Sequence, residues 1–223
     1  MAGWRAFDVG YIHFLRQQGD AVLTCADNAA AHWERSKVGA RERAVAMGLR
    51  GMGHGVKKDY PAAIAAIAAY REALNLHLSL AAESEDVAIS LNDLSFAEML
   101  SGDLVAADGH LQQALRVAGA VGYSEGVAEF TGNLAALALN REDWPTAETV
   151  AREALPLSEA VHRQELIASN NNRLAKALVR QGNSAEALPY ARRSVEIYTH
   201  LGSPDLADAQ AILAECEDDG AVG

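Results

Sequence analysis

Leu94, Leu134 and Leu174 follow one another at a single fixed interval, and Ala107, Ala147 and Ala187 keep the same interval. A fixed period constrains a chain more than local propensity does. Each repeat is a unit that cannot bury its apolar face alone, and stacking of neighbours supplies the core. The middle copy, Val127 to Leu155, reads as helix, turn, helix. Leu134, Leu137 and Ala138 recur at helical spacing, Arg141-Glu142-Asp143 makes the turn, and Ala147, Ala151 and Ala154 give the second helix a face of small residues.

Turn marks of one type punctuate the chain at Gly19-Asp20, Lys58-Asp59, Gly102-Asp103, Glu142-Asp143 and Gly182-Asn183, at nearly even intervals of which the second is the longest. Gly or a polar residue followed by Asp or Asn suits a helix end running straight into a new N-cap. Five antiparallel helix pairs follow, over about 3–35, 39–80, 85–120, 124–161 and 163–201, with a capping helix over 204–216. This is an all-α chain, expected as one repeat domain over 1–217 with a flexible tail at 218–223.

Three local features qualify the pattern. Trp4, Phe7, Tyr11 and Phe14 make an apolar stripe on the first helix, which either packs on the next helices or joins a second copy in a homodimer. Gly48, Gly51, Gly53 and Gly55 crowd one helix and predict a close helix contact, a kink or a hinge. Pro145 and Pro61 suit the first turn of their helices, whereas Pro189 falls one turn in.

Composition narrows the function classes. The formal net charge of -11 disfavours nucleic acid and anionic membrane surfaces as partners. Cys25 and Cys216 lie at opposite ends and form no metal or redox motif, which suits a reduced, cytoplasmic protein. No stretch is long and apolar enough to span a bilayer. The seven histidines are dispersed, with neither HExxH nor zinc spacing, and no nucleophile elbow is present. Gly51-Met52-Gly53-His54-Gly55 lacks the Lys-Ser/Thr of a phosphate-binding loop. The expectation is a chain without catalysis, cofactor or metal.

In the third pair, Leu91, Asn92, Leu94 and Ala97 precede Gly102-Asp103, and Ala107, Leu111 and Ala114 follow it. The fourth pair matches with Asn133, Leu134, Asp143, Ala147, Ala151 and Ala154, and the fifth with Asn172, Leu174, Gly182-Asn183, Ala187 and Ala191. These residues resemble tetratricopeptide repeats. Glu98, Ala138 and Leu178 stand where that family has a large aromatic. The period of about 40 is longer than the usual ~34, with the extra residues expected between pairs, as in 118–124. This long form is similar to the repeats of signal-transducing regulatory ATPases, bacterial peptide-sensing regulators and kinesin light chains.

The resemblance implies a right-handed superhelical solenoid whose first helices line a concave, peptide-binding groove. It places Asn92, Phe96 and Met99 there, then Asn133, Ala136 and Asn140, then Asn172, Arg173, Lys176 and Arg180. The asparagines could grip a peptide backbone or hold neighbouring helices together. Asn133 and Arg173 stand where some of these domains hold a C-terminal carboxylate, although Asn92, Phe96 and Ser169 depart from that set. Arg173, Lys176 and Arg180 form a basic stripe, either suited to an acidic segment or a terminal carboxylate or a solvated face paired with Glu165 or Glu186. The expected function is a non-catalytic protein- or peptide-binding scaffold. The alternative is a ligand-sensing regulatory module of a larger signalling system, with the glycine-rich helix as hinge.

Overall fold

A computed structural model describes residues 2–36, 40–57 and 60–220. Among the described residues the secondary structure is entirely helical: α1 (Ala2–Leu15), α2 (Gly19–Arg35), α3 (Ala40–Lys57), α4 (Tyr60–Leu80), α5 (Glu85–Ser101), α6 (Leu104–Val121), α7 (Ser124–Asn140), α8 (Trp144–Ala160), α9 (Gln164–Arg180), α10 (Ser184–Leu201) and α11 (Leu206–Gly220). The helices fall into two compact units, Met1–Gly122 and Tyr123–Gly223. Consecutive helices pack as antiparallel pairs inside each unit.

Local chemistry explains the repeat length. Gly102, Glu142 and Gly182 close the first helix of a pair, and Gly122, His162 and Gly202 close the second; all six have positive φ. Their positions step evenly along the chain, so each repeat is two helix-plus-turn halves of equal length. At Asp103, Asp143 and Asn183 the N–H bonds back to the carbonyls of Glu98, Ala138 and Leu178 at 3.0, 3.0 and 2.9 Å. This is the six-to-one closure of a left-handed helix cap. Asp103 and Asp143 then accept from Ala106 N and Thr146 N with their carboxylates, capping the next helix. The extra length over the usual repeat of the family therefore lies in the helices, α5 to α10 being 17 or 18 residues long. The residues expected between the third and fourth pairs belong to α6, which runs to Val121.

The first turn is also displaced from its expected place. Gln17 is the residue with positive φ, and Gln18 N bonds to His13 O at 3.0 Å. Gly19 is the buried first residue of α2 and not part of the turn. Its use is close approach: a Cβ there would lie 2.9 Å from the Gly53 carbonyl oxygen of α3. Gly51 likewise faces the Tyr70 ring and Gly53 faces Leu23. Gly51 and Gly53 thus let α4 and α2 pack closely on a continuous α3, whereas a Cβ at Gly48 or Gly55 would meet nothing within 4 Å. The Lys58-Asp59 turn lies outside the described residues. At the other end α11 begins at Leu206, not at Pro204, and continues to Gly220 through much of the stretch expected as tail.

Small residues set the packing distance in the second helices of the pairs. Ala107, Ala147 and Ala187 are fully buried, as are Leu111, Ala151 and Ala191, and Ala114, Ala154 and Ser194. In the second unit Leu174, Leu178, Ala187 and Ala191 meet Ile212 and Cys216 of α11. Pro189 sits inside α10, and Pro156 sits inside α8.

Candidate functional site

Among the polar side chains of the second unit, those of α7 and α9 meet around the half-buried Arg173. Its Nη2 donates to Asn133 Oδ1 at 3.0 Å, and its Nη1 donates to Asn170 Oδ1 at 2.9 Å and to Ser169 Oγ at 3.5 Å. All three acceptors are neutral, and no carboxylate of the described residues forms an ion pair with this guanidinium. Burial lowers its pKa, opposed by the charges or dipoles of Tyr198, Glu129 and Asp205. A desolvated cation held by amides is available to an anion.

Gly132 makes room for this arrangement. A Cβ at that position would lie 2.4 Å from Asn170 Oδ1 and 2.7 Å from Arg173 Nη1. Asn170 is fully buried and its amide donates to Ser158 Oγ at 2.7 Å, so the far side of the bracket is fixed. Asn170 is the residue that the sequence reading overlooked. Its signal was present in Asn170-Asn171-Asn172, three poor helix formers in mid-helix, where polar duty is the ordinary reason.

The remaining expected residues separate into groups. Asn172 is buried and donates to Asp208 Oδ2 at 2.7 Å. Lys176 Nζ stands 3.9 Å from Asp208 Oδ1. Arg180 grips both carboxylate oxygens of Glu215, and that contact raises the Arg180 pKa. The acidic partner for the Lys176–Arg180 part of the basic stripe is thus α11 of the same chain. Asn140 is exposed, with its amide turned back onto Ala136 O at 2.9 Å. Of the expected set, Asn133 and Arg173 are directly joined. In the first unit Asn92 is buried, Met99 is half-buried, and Phe96 is 46% exposed.

The first unit holds a second polar cluster. Glu98 is only 1% exposed, yet its two carboxylate oxygens meet His110 Nδ1 at 2.7 Å and Arg71 Nη2 at 3.4 Å. It stands where the resemblance expects a large aromatic, and ties α4, α5 and α6 together by polar contacts to Arg71 and His110 instead of by ring packing. Among the described residues no group of three or more acidic, His or Cys side chains could hold a metal ion. No described helix is long and apolar enough to cross a membrane.

Residues 126–200 match the family model for the tetratricopeptide repeat. No curated protein matches the sequence as a relative. Among solved structures, the chain is similar to a Podosopora anserina putative kinesin light chain with nearly identical TPR-like repeats. That match has 14% identity and a TM-score of 0.65, covering 89% of this chain and 95% of the other. It is also similar to the apo form of RapI, at 13% identity and a TM-score of 0.65, covering 98% of this chain and 72% of RapI. A Rap protein complexed with competence and sporulation factor matches at 12% identity and a TM-score of 0.66, covering 97% of this chain and 62% of that one. At such identities the likeness concerns the fold. From α5 to α10, helices of nearly constant length and turns at a constant interval agree with the family match: residues 126–200 are repeats of the tetratricopeptide type, and the chain as a whole has a TPR-like helical repeat fold.

Proposed function

We propose that the chain is a non-catalytic peptide-binding scaffold, anchored in its second unit by Arg173. The carrying observation is the half-buried guanidinium held only by the neutral oxygens of Asn133, Asn170 and Ser169. Its ligand presents a carboxylate, from an acidic side chain or a C-terminus, which adds a direct charged partner to a guanidinium that Glu129 and Asp205 act on only through their field. Asn133 positions the guanidinium, and Asn140 lies two turns further along the same helix. Lys176 and Arg180 flank the anchor, with their charges shared with Asp208 and Glu215. Independently of that anchor, Phe96 and Met99 are proposed as apolar peptide contacts of the first unit taken by itself.

A selection from a displayed random-peptide library, with free and with blocked C-termini, tests this reading on the full chain. The expected outcome is enrichment of carboxylate-bearing peptides that Arg173→Gln loses and that Arg193→Gln, at an exposed arginine paired with Glu196, keeps. Equal enrichment by the wild type and Arg173→Gln would sink it. A second reading, a ligand-sensing regulatory module, draws on the likeness to the Rap protein solved with competence and sporulation factor. Under that reading a selected peptide changes the solution scattering profile; under the scaffold reading the profile stays as it was.

A further inference from the structure

We propose that the outer face of α1 is a self-association surface, on which a second copy of this chain lays its own α1 antiparallel and closes a two-fold dimer. The inference is independent of the Arg173 site. It begins with a helix that is apolar around most of its circumference. On the inner side Ala6, Phe7 and Phe14 pack against Val22, Ala26, Ala29 and Leu49. On the outer side Val9 and Ile12 are 47 and 46% exposed, and Trp4 and Tyr11, whose rings also meet Trp33 and Phe14 along one edge of the helix, still leave 40 and 42% of their surface exposed. Among the described helices α1 packs only on α2 and α3. A helix with apolar residues on both sides is ordinarily covered on both.

Charge selects the occupant. Two copies that each carry a net charge of -11 repel, so they can meet only where the local surface is not acidic. Asp8 is the sole acid of α1, and Arg5 lies one turn before it. Both are exposed, and neither forms an ion pair among the described residues. Arg5, Asp8 and Ile12 share one strip of the helix at i, i+3 and i+7. Reversing a second copy against this strip sets each Arg5 beside the other copy's Asp8, so one pair of residues supplies two complementary contacts. Trp4 and Tyr11, two turns apart, border the strip with the aromatic surface that anchors interfaces.

The opposite end of the chain does not fit this face for a second copy. α11 carries Asp208, Glu215, Glu217 and Asp218, and an α1-on-α11 contact is head-to-tail, which propagates instead of closing. The α1-on-α1 contact is isologous and stops at two.

Light scattering and sedimentation equilibrium of the full chain test the proposal. The expected result is a concentration-dependent dimer whose dissociation constant rises roughly tenfold or more in Ile12→Glu and in Tyr11→Glu. Both side chains are substantially exposed, so the helical circular dichroism of the variants should match the wild type. Arg5→Asp should weaken the dimer, and the swap Arg5→Asp with Asp8→Arg should restore it. A wild-type chain that is monomeric at every concentration overturns the proposal. So does a dimer indifferent to Ile12→Glu and Tyr11→Glu, or one that the charge swap fails to restore.

Discussion

Arg173 donates through Nη2 to Asn133 Oδ1 at 3.0 Å, and so ties α9 to α7 at equivalent positions of adjacent repeats. The tie depends on the missing side chain of Gly132. Asn170, 2.4 Å from a Cβ built there, is buried and fixed through Ser158, whereas the end of Arg173, at 2.7 Å, is flexible. In Gly132→Ala the arginine end can turn away, but Asn170 must shift against its bond to Ser158. The gain in helix propensity, about 1 kcal/mol, only partly offsets crowding that costs about 1–3 kcal/mol, so urea unfolding should show a net loss of about 1 kcal/mol. Binding of library-selected carboxylate peptides should fall about tenfold, the loss of one charge-assisted hydrogen bond. Unchanged peptide binding would show that Arg173 need not sit in its bracket.

The left-handed turn positions make a separate prediction. Four of the six recurring positions from 102 to 202 are glycine, while Glu142 and His162 adopt φ near 58° and 55°. An L side chain with positive φ is strained by about 1 kcal/mol. Glu142→Gly and His162→Gly should each stabilise by about 0.5 kcal/mol, the strain relief less the entropy of a freer unfolded chain. Gly182→Ala should destabilise by about 1 kcal/mol. Thermal melts of the three variants check the sign at each position.

The same positions show what was legible in the sequence. Leu94, Leu174 and the alanines at 107, 147 and 187 announced the period because each is a core contact and the core repeats. The first turn was misplaced because Gly19-Asp20 looks like a turn, although its glycine serves a contact with Gly53 on another helix, and only tertiary structure reveals that use. Glu98 was read as a missing aromatic; its partners Arg71 and His110 lie on two other helices, at separations no local pattern encodes. The i, i+3, i+7 spacing of Arg173, Lys176 and Arg180 is legible in the sequence, but their different partners are not: Asp208 and Glu215 on α11 read equally well as solvated charge.

Tyr198 gives the protein an alkaline limit. Burial pushes its hydroxyl up from 10.0 to about 12, with Asp205 adding to the rise and Arg173 opposing it. The folded state thus favours the neutral phenol. Its stabilisation is complete below pH 10 and is lost as pH climbs through 12. Over that window a single site costs about 1.4 kcal/mol per pH unit. Urea unfolding between pH 9 and 12 should show this slope in the wild type and a shallower one in Tyr198→Phe. Tyr70, raised well above its ordinary value by burial, keeps its own contribution in both proteins. Identical slopes would mean that Tyr198 ionises as freely in the folded chain as in the unfolded one.

Two glycines of the first unit should respond to alanine with opposite signs. Alanine favours a helix over glycine by about 1 kcal/mol wherever space allows. Gly48 has nothing within 4 Å of a built Cβ, so Gly48→Ala should stabilise by about 0.5–1 kcal/mol. At Gly19 the Cβ would lie 2.9 Å from the Gly53 carbonyl oxygen, which is backbone and cannot rotate away. Forcing α2 from α3 there costs about 1–3 kcal/mol, more than propensity returns, so Gly19→Ala should destabilise by about 1–2 kcal/mol. Urea midpoints at unchanged m-value read both effects. A Gly19→Ala variant as stable as Gly48→Ala would mean that α2 and α3 do not approach as closely as their glycines allow.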